Sequence, residues 1–206
     1  CVESRAPLTD QLGGLLSEIE SDPIEDYRWA ERRTLVFDAN WKIYTDNFVE
    51  GYHIPGIHPE FFQAIDFEKF ETTAMDNLVR MTAPTKDHLF YQGRWLWMWP
   101  NWTLSFFNGG MNTSRINPLG VDRTELIYDF YFADVSDAAG DARQETIQRN
   151  IAVIEQDFDI CIHTHQNYLS GGYQPGPLSP RHEKGVHLFQ ELVKRNLGEV
   201  SEALSG

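Results

Sequence analysis

The chain has 206 residues, 41% of them hydrophobic and 13% aromatic, which supports one sizeable domain with a real core and excludes a disordered segment. Seventeen basic against thirty-one acidic residues give a formal net charge of −14, which argues against nucleic acid or an anionic membrane surface as a partner. No run approaches the roughly 18 apolar residues of a membrane span, and the two cysteines, Cys1 and Cys161, make no disulfide framework, so a cytoplasmic location is expected.

In chain order, Leu8, Leu12, Leu15, Leu16 and Ile19 recur at helical spacing. Residues 34–40 read as a strand that leads into the run NWKIYTDNFVEGYHIPGIHP at 40–59. Within it Trp41, Tyr44, Phe48 and Tyr52 recur every three or four positions, which gives a helix one apolar face. Pro55 and Gly56 are expected to break that helix, since proline cannot continue it and glycine frees the backbone. His53 and His58 then stand at the mouth of a buried helix, where two imidazoles can take adjacent corners of a metal site. They need a third ligand from elsewhere, most simply a carboxylate. Two histidines and a carboxylate on one face of an octahedron leave positions open, the arrangement used by non-haem Fe(II) oxygenases.

Residues 77–134 change period. The stretch 90–99 is rich in aromatics, and 103–107 and 111–116 are short runs bounded by Asn and Gly. Over 125–132, Leu126, Tyr128, Phe130 and Phe132 alternate with Ile127, Asp129 and Tyr131, the pattern of a strand buried on one face. Asn108-Gly109-Gly110 and Pro118-Leu119-Gly120 punctuate hairpins, so this part reads as an antiparallel sheet. From 136 to 169 the period is helical again, with Ile147, Ile151, Ile154, Phe158 and Cys161 on one stripe, ended by Gly171-Gly172. A last helix is expected over 183–197. This order suits an α+β fold in which a curved antiparallel sheet grips a long C-terminal helix.

The long helix also offers the carboxylate. Asp157 follows Ile154 by three and precedes Cys161 by four, beside the apolar stripe, where an unpaired carboxylate is costly and a metal removes the cost. Asp159 and Glu155 remain alternatives. His163, His165, His182 and His187 are assigned no metal role, and Tyr52 is expected to pack or to support a ligand through a hydrogen bond.

The 40–59 run resembles the metal-binding segment of the catalytic domain of Rieske non-haem iron oxygenases. The matching residues are Asn40-Trp41-Lys42, Asn47-Phe48, Glu50, Tyr52-His53 and His58-Pro59. The stretch around Asp157 and Cys161 is similar to the branch of that family that includes choline monooxygenase. The resemblance implies a helix-grip fold and a mononuclear Fe(II) held by His53, His58 and Asp157. It also implies O2-dependent hydroxylation or oxidative demethylation of a small substrate such as a quaternary amine. It makes Glu50 the bridge that carries an electron from a Rieske histidine on a neighbouring subunit, in a homotrimer served by a reductase or ferredoxin. Tyr91, Trp95, Trp97, Trp99, Phe106, Phe107 and Tyr128 are expected to line the substrate pocket, since aromatic faces attract such cations. Ring dihydroxylation and a non-enzymatic ligand-binding domain are the alternatives. A Rieske cluster needs paired Cys and His ligands. Cys161-Ile162-His163 supplies one such pair and Cys1 with Ser4 does not supply the second, so no [2Fe–2S] cluster is expected. Residues 1–206 are accordingly expected to be a single catalytic domain, with 1–32 as the linker and helix that follow a Rieske domain.

Overall fold

The computed structural model describes residues 7–86 and 91–205, without the side chains of Tyr91 and of 199–205. Two short helices, α1 (Leu8–Leu12) and α2 (Leu15–Ile19), replace the single helix expected over 8–20. Gly13, at φ +52, breaks it, a conformation in which a side chain would be strained. Strand β1 (Arg28–Phe37) starts earlier than expected and leads to α3 (Trp41–Phe48). The helical pattern was expected to run on to Pro55, but the helix stops at Val49, and Pro55 instead opens a new turn, α4 (Ile54–Ile57), where a missing N–H is harmless. Helix α5 (Pro59–Ala64) follows.

Six further strands come next: β2 (Glu71–Met75), β3 (Leu78–Thr82), β4 (Tyr91–Met98), β5 (Trp102–Phe107), β6 (Gly110–Pro118) and β7 (Thr124–Phe132). They form one curved antiparallel sheet with β1, in the order β1-β7-β6-β5-β4-β3-β2. Consecutive hairpins build it, and β1 closes the far edge against β7. Helix α6 (Gly140–Leu169) and helix α7 (Lys184–Ser205) complete the chain.

Strand alternation divides the interior in two. Leu126, Tyr128, Phe130 and Phe132 of β7 join Trp97, Ile116, Ile154, Cys161 and Phe189 in the main core, between the sheet and α3, α6 and α7. Phe37 of β1 stacks on Phe158 of α6 with ring centroids 4.5 Å apart. The opposite face carries Leu78, Leu96, Leu104, Phe106 and Met111, covered by Leu15 of α2. Each such side chain, fully buried, contributes roughly 1.5–3 kcal/mol. Two ion pairs fasten the cover: Arg80 to Glu18 at 2.9 Å and Arg94 to Asp22 at 2.5 Å. Among the described residues no helix is long and apolar enough to cross a membrane.

Candidate metal centre

Helix α3 places the first part of the site. The Asn40 side chain caps it by accepting from the Lys42 N–H at 3.0 Å. Its apolar face is fixed by Trp41, packed edge-on against Phe189, and by the fully buried Tyr44. The chain leaves α3 through Val49, so Glu50 lies in the connection rather than on the helix, and His53 begins α4. His58 joins α4 to α5 and is 2% exposed.

Helix α6 supplies the opposite side. Ile147, Ile154 and Cys161 anchor its stripe in the core, and Asp157 falls on the same buried side. Glu155 and Asp159 turn to solvent, which leaves Asp157 as the carboxylate at the site. His58 Nε2 is 3.0 Å from Asp157 Oδ1 and His53 Nε2 is 3.6 Å from the same oxygen. The imidazole rings are 5.1 Å apart and nearly perpendicular. One donor atom from each of the three residues lies within 4.8 Å of the others, the only such group among the described residues.

The second nitrogen of each ring is occupied. His53 Nδ1 pairs with Glu50 Oε1, and His58 Nδ1 donates to Gln156 Oε1 at 2.7 Å. Both bonds put the ring proton on Nδ1 and leave Nε2 free to face the third side chain. Asn47 Nδ2 donates to Asp157 Oδ1 at 2.8 Å and holds the carboxylate. Burial pulls the His58 pKa down, but the hydrogen bond and charge of Asp157 outweigh it and leave it raised. The set is two nitrogens and one oxygen, buried and held from behind, which fits a divalent first-row metal with positions left open. Burial, followed by the charge of Asp157, also pushes the Cys161 thiol up, so it stays protonated and inert beside the site.

These groups form one wall of a cavity of about 90 Å³. Phe61, Phe70 and Trp95 give it aromatic walls, and Ser105, Asn112 and Asn150 give it a polar end. Of the aromatics expected to line a pocket, Trp95 and Tyr128 do so, the Tyr128 hydroxyl lying 3.2 Å from that of Tyr44. The other placements correct the expectation. Trp97 is fully buried and packs edge-on against Phe189 of α7, and Trp99 meets the same ring. Phe106 lies on the opposite face of the sheet, under the Arg94 guanidinium. Phe107 packs on Phe132 in the core. The side chain of Tyr91 lies outside the described residues. Sequence reasoning missed Gln156, the hold of Asn47 on Asp157, and the polar end of the cavity. Asn47 carried a signal as part of the 40–59 run, and the others had none.

The family described as the ring hydroxylating alpha subunit, catalytic domain, matches this chain over residues 24–86 and 72–199. A chloroplastic choline monooxygenase of Atriplex hortensis is 24% identical over 188 residues, which is 88% of this chain and 43% of the relative. The carnitine monooxygenase oxygenase subunit of Escherichia coli (strain K12) is 29% identical over 138 residues, 61% of this chain and 37% of the relative. The chain thus spans less than half the length of these relatives. Among solved structures, a quaternary ammonium Rieske monooxygenase superposes with a TM-score of 0.78 at 23% identity, over 92% of this chain and 56% of the other. Dicamba monooxygenase does so with a TM-score of 0.64 at 15% identity, over 87% and 61%. Likeness at this identity carries the fold.

Proposed function

The chain belongs to the ring-hydroxylating alpha-subunit family, as its catalytic domain, and from that premise we propose that it is the oxygenase part of a Rieske-type enzyme acting on a small organic substrate, a quaternary amine by preference. The observation that carries this reading is the convergence of two imidazole Nε2 atoms and one carboxylate on the wall of an aromatic-lined cavity. His53, His58 and Asp157 would hold Fe(II). Iron in such a site supplies the activation of O2, with oxidation of a substrate C–H bond as the outcome.

The remaining steps belong to the chain's own residues. Gln156 and Glu50 fix the tautomers that present Nε2, and Asn47 keeps Asp157 turned toward the histidines. Trp95, Phe61 and Phe70 exclude water and offer ring faces to a cation, each contact contributing about 0.5–2 kcal/mol. The other oxygen of Glu50 accepts from the backbone N–H of Tyr52, so the carboxylate is rigid. Glu50 is 6% exposed and touches an iron-side imidazole, which suits it to relay an electron from a Rieske histidine of a neighbouring subunit. A solved relative is described in terms of inter-subunit electron transfer, which supports a partner of that kind; assembly as a homotrimer follows from the family resemblance alone.

Anaerobic reconstitution tests the metal site. The chain is expected to bind one Fe(II), and His53→Ala, His58→Ala and Asp157→Ala each to lower uptake to background, since two ligands make a weak site. Full retention in Asp157→Ala would overturn the ligand set.

A further inference from the structure

The polar end of the cavity holds a buried acceptor that no group among the described residues satisfies. Asn112 of β6 lines the cavity and is 2% exposed. Its orientation is fixed by a relay that begins on α6. The Thr146 carbonyl can only accept, so Asn150 turns its Nδ2 toward it, at 2.9 Å. Asn150 therefore shows its Oδ1 to Asn112, whose Nδ2 donates to it at 3.3 Å. Turning over either amide would set oxygen against oxygen. The relay leaves Asn112 Oδ1 buried with no hydrogen-bond partner. Buried acceptors are nearly always paired, so one left stranded beside a ligand cavity calls for a donor from outside the chain.

The charge around the cavity narrows the ligand. Among the described residues the wall holds the carboxylates of Glu50 and Asp157 and no lysine or arginine. A ligand carboxylate would find no cationic side chain there to pair with. A cation meets ring faces instead.

We propose that Asn112 is the residue that selects the substrate. Its Oδ1 accepts a hydrogen bond from a hydroxyl on a small quaternary ammonium ion. The site therefore takes a choline-like cation and rejects a carboxylate-bearing one such as carnitine. The inference rests on the oxygenase reading above and names the substrate class of that same site.

Calorimetric titration of the anaerobic, Fe(II)-loaded chain tests it with three probes: choline, its O-methyl ether, and carnitine. The ether keeps the cation but carries a methyl in place of the hydroxyl hydrogen, so it cannot donate. Choline is expected to bind about tenfold more tightly than the ether, the scale of one hydrogen bond, and more tightly than carnitine by at least as much. In Asn112→Leu, choline is expected to fall to the level of the ether, with iron uptake and circular dichroism unchanged. Equal binding of choline and ether by the unaltered chain overturns the proposal. So does a preference that survives in Asn112→Leu, or carnitine bound as tightly as choline. Binding of none of the three overturns it while one iron per chain leaves the metal site standing. Loss of iron from the unaltered chain would be the separate failure of the oxygenase reading. Should Asn112→Leu fail to fold, Asn112→Ala takes its place in the comparison.

Discussion

Gln156 settles which nitrogen of His58 faces the proposed iron site. Its carbonyl oxygen accepts from Nδ1, so Nε2 is the atom left to face Asp157. Gln156→Leu removes that acceptor and is expected to weaken Fe(II) binding by roughly 10- to 100-fold. Titration against a competing chelator reads the change, and unaltered affinity would show that packing alone orients the ring. This role had no trace in the sequence. Gln156 sits on the exposed shoulder of α6, beside a buried aspartate, and neighbouring residues of a helix point about 100° apart, so spacing alone gives one of them no claim on the site. The histidines and Asp157 were legible for the converse reason. Asp157 stood three after Ile154 and four before Cys161 on the buried stripe, and the histidines stood at the mouth of an apolar-faced helix in a run that resembles the family's metal-binding segment.

At the scale of elements, the edge strand β1 is held to β7 by a cross-strand pair. Arg32 stands opposite Asp129 and makes two hydrogen bonds to its carboxylate, both at 2.8 Å. The Trp29 indole N–H donates to the same carboxylate at 3.0 Å. The Arg32 hydrogen bond, ahead of every other cause, holds the Asp129 carboxyl below its ordinary range. A carboxyl lowered in the folded state stabilises above its unfolded pKa of about 3.9 and loses that effect as pH falls through the folded value. Arg32→Leu is therefore expected to lower the melting temperature at pH 7, modestly because half of the guanidinium is in water. The deficit should shrink as pH drops below about 4, and melting curves across that range check it. A deficit that persists at low pH would mean lost packing instead. The alternation of β7 was readable because one face is apolar throughout. The aromatic strands were not. Trp95, Trp97 and Trp99 share a face by period two, yet only Trp95 reaches the cavity, because Phe189 of α7 lies across the other two. Where a helix crosses a sheet is a tertiary fact that no strand encodes by itself.

For the whole molecule, the metal and the fold are linked. Iron that binds only the folded chain adds about 2.7 kcal/mol at a free concentration one hundred times its Kd. For a chain of this size that raises the melting temperature by about 5 to 10 °C. Anaerobic melting with and without Fe(II) should show the rise in the unaltered chain and none in Asp157→Ala. An equal rise in both would place the bound iron elsewhere. The fold class, the antiparallel sheet and the long helix were legible because each is a repeating pattern. The split of α1 from α2, and their place over the outer face of the sheet, were not, because that contact joins residues such as Arg80 and Glu18 that are distant in sequence.

His58 and Asp157 meet across a gap of 99 residues, and strands β2 to β7 lie in the interval between them. A chain in which α6 has not docked lacks the carboxylate, whatever its histidine pair does. Ion capture therefore reports chains in which α6 has docked beside the histidine segment. In a preparation of mixed quality, the iron content is a census of finished molecules.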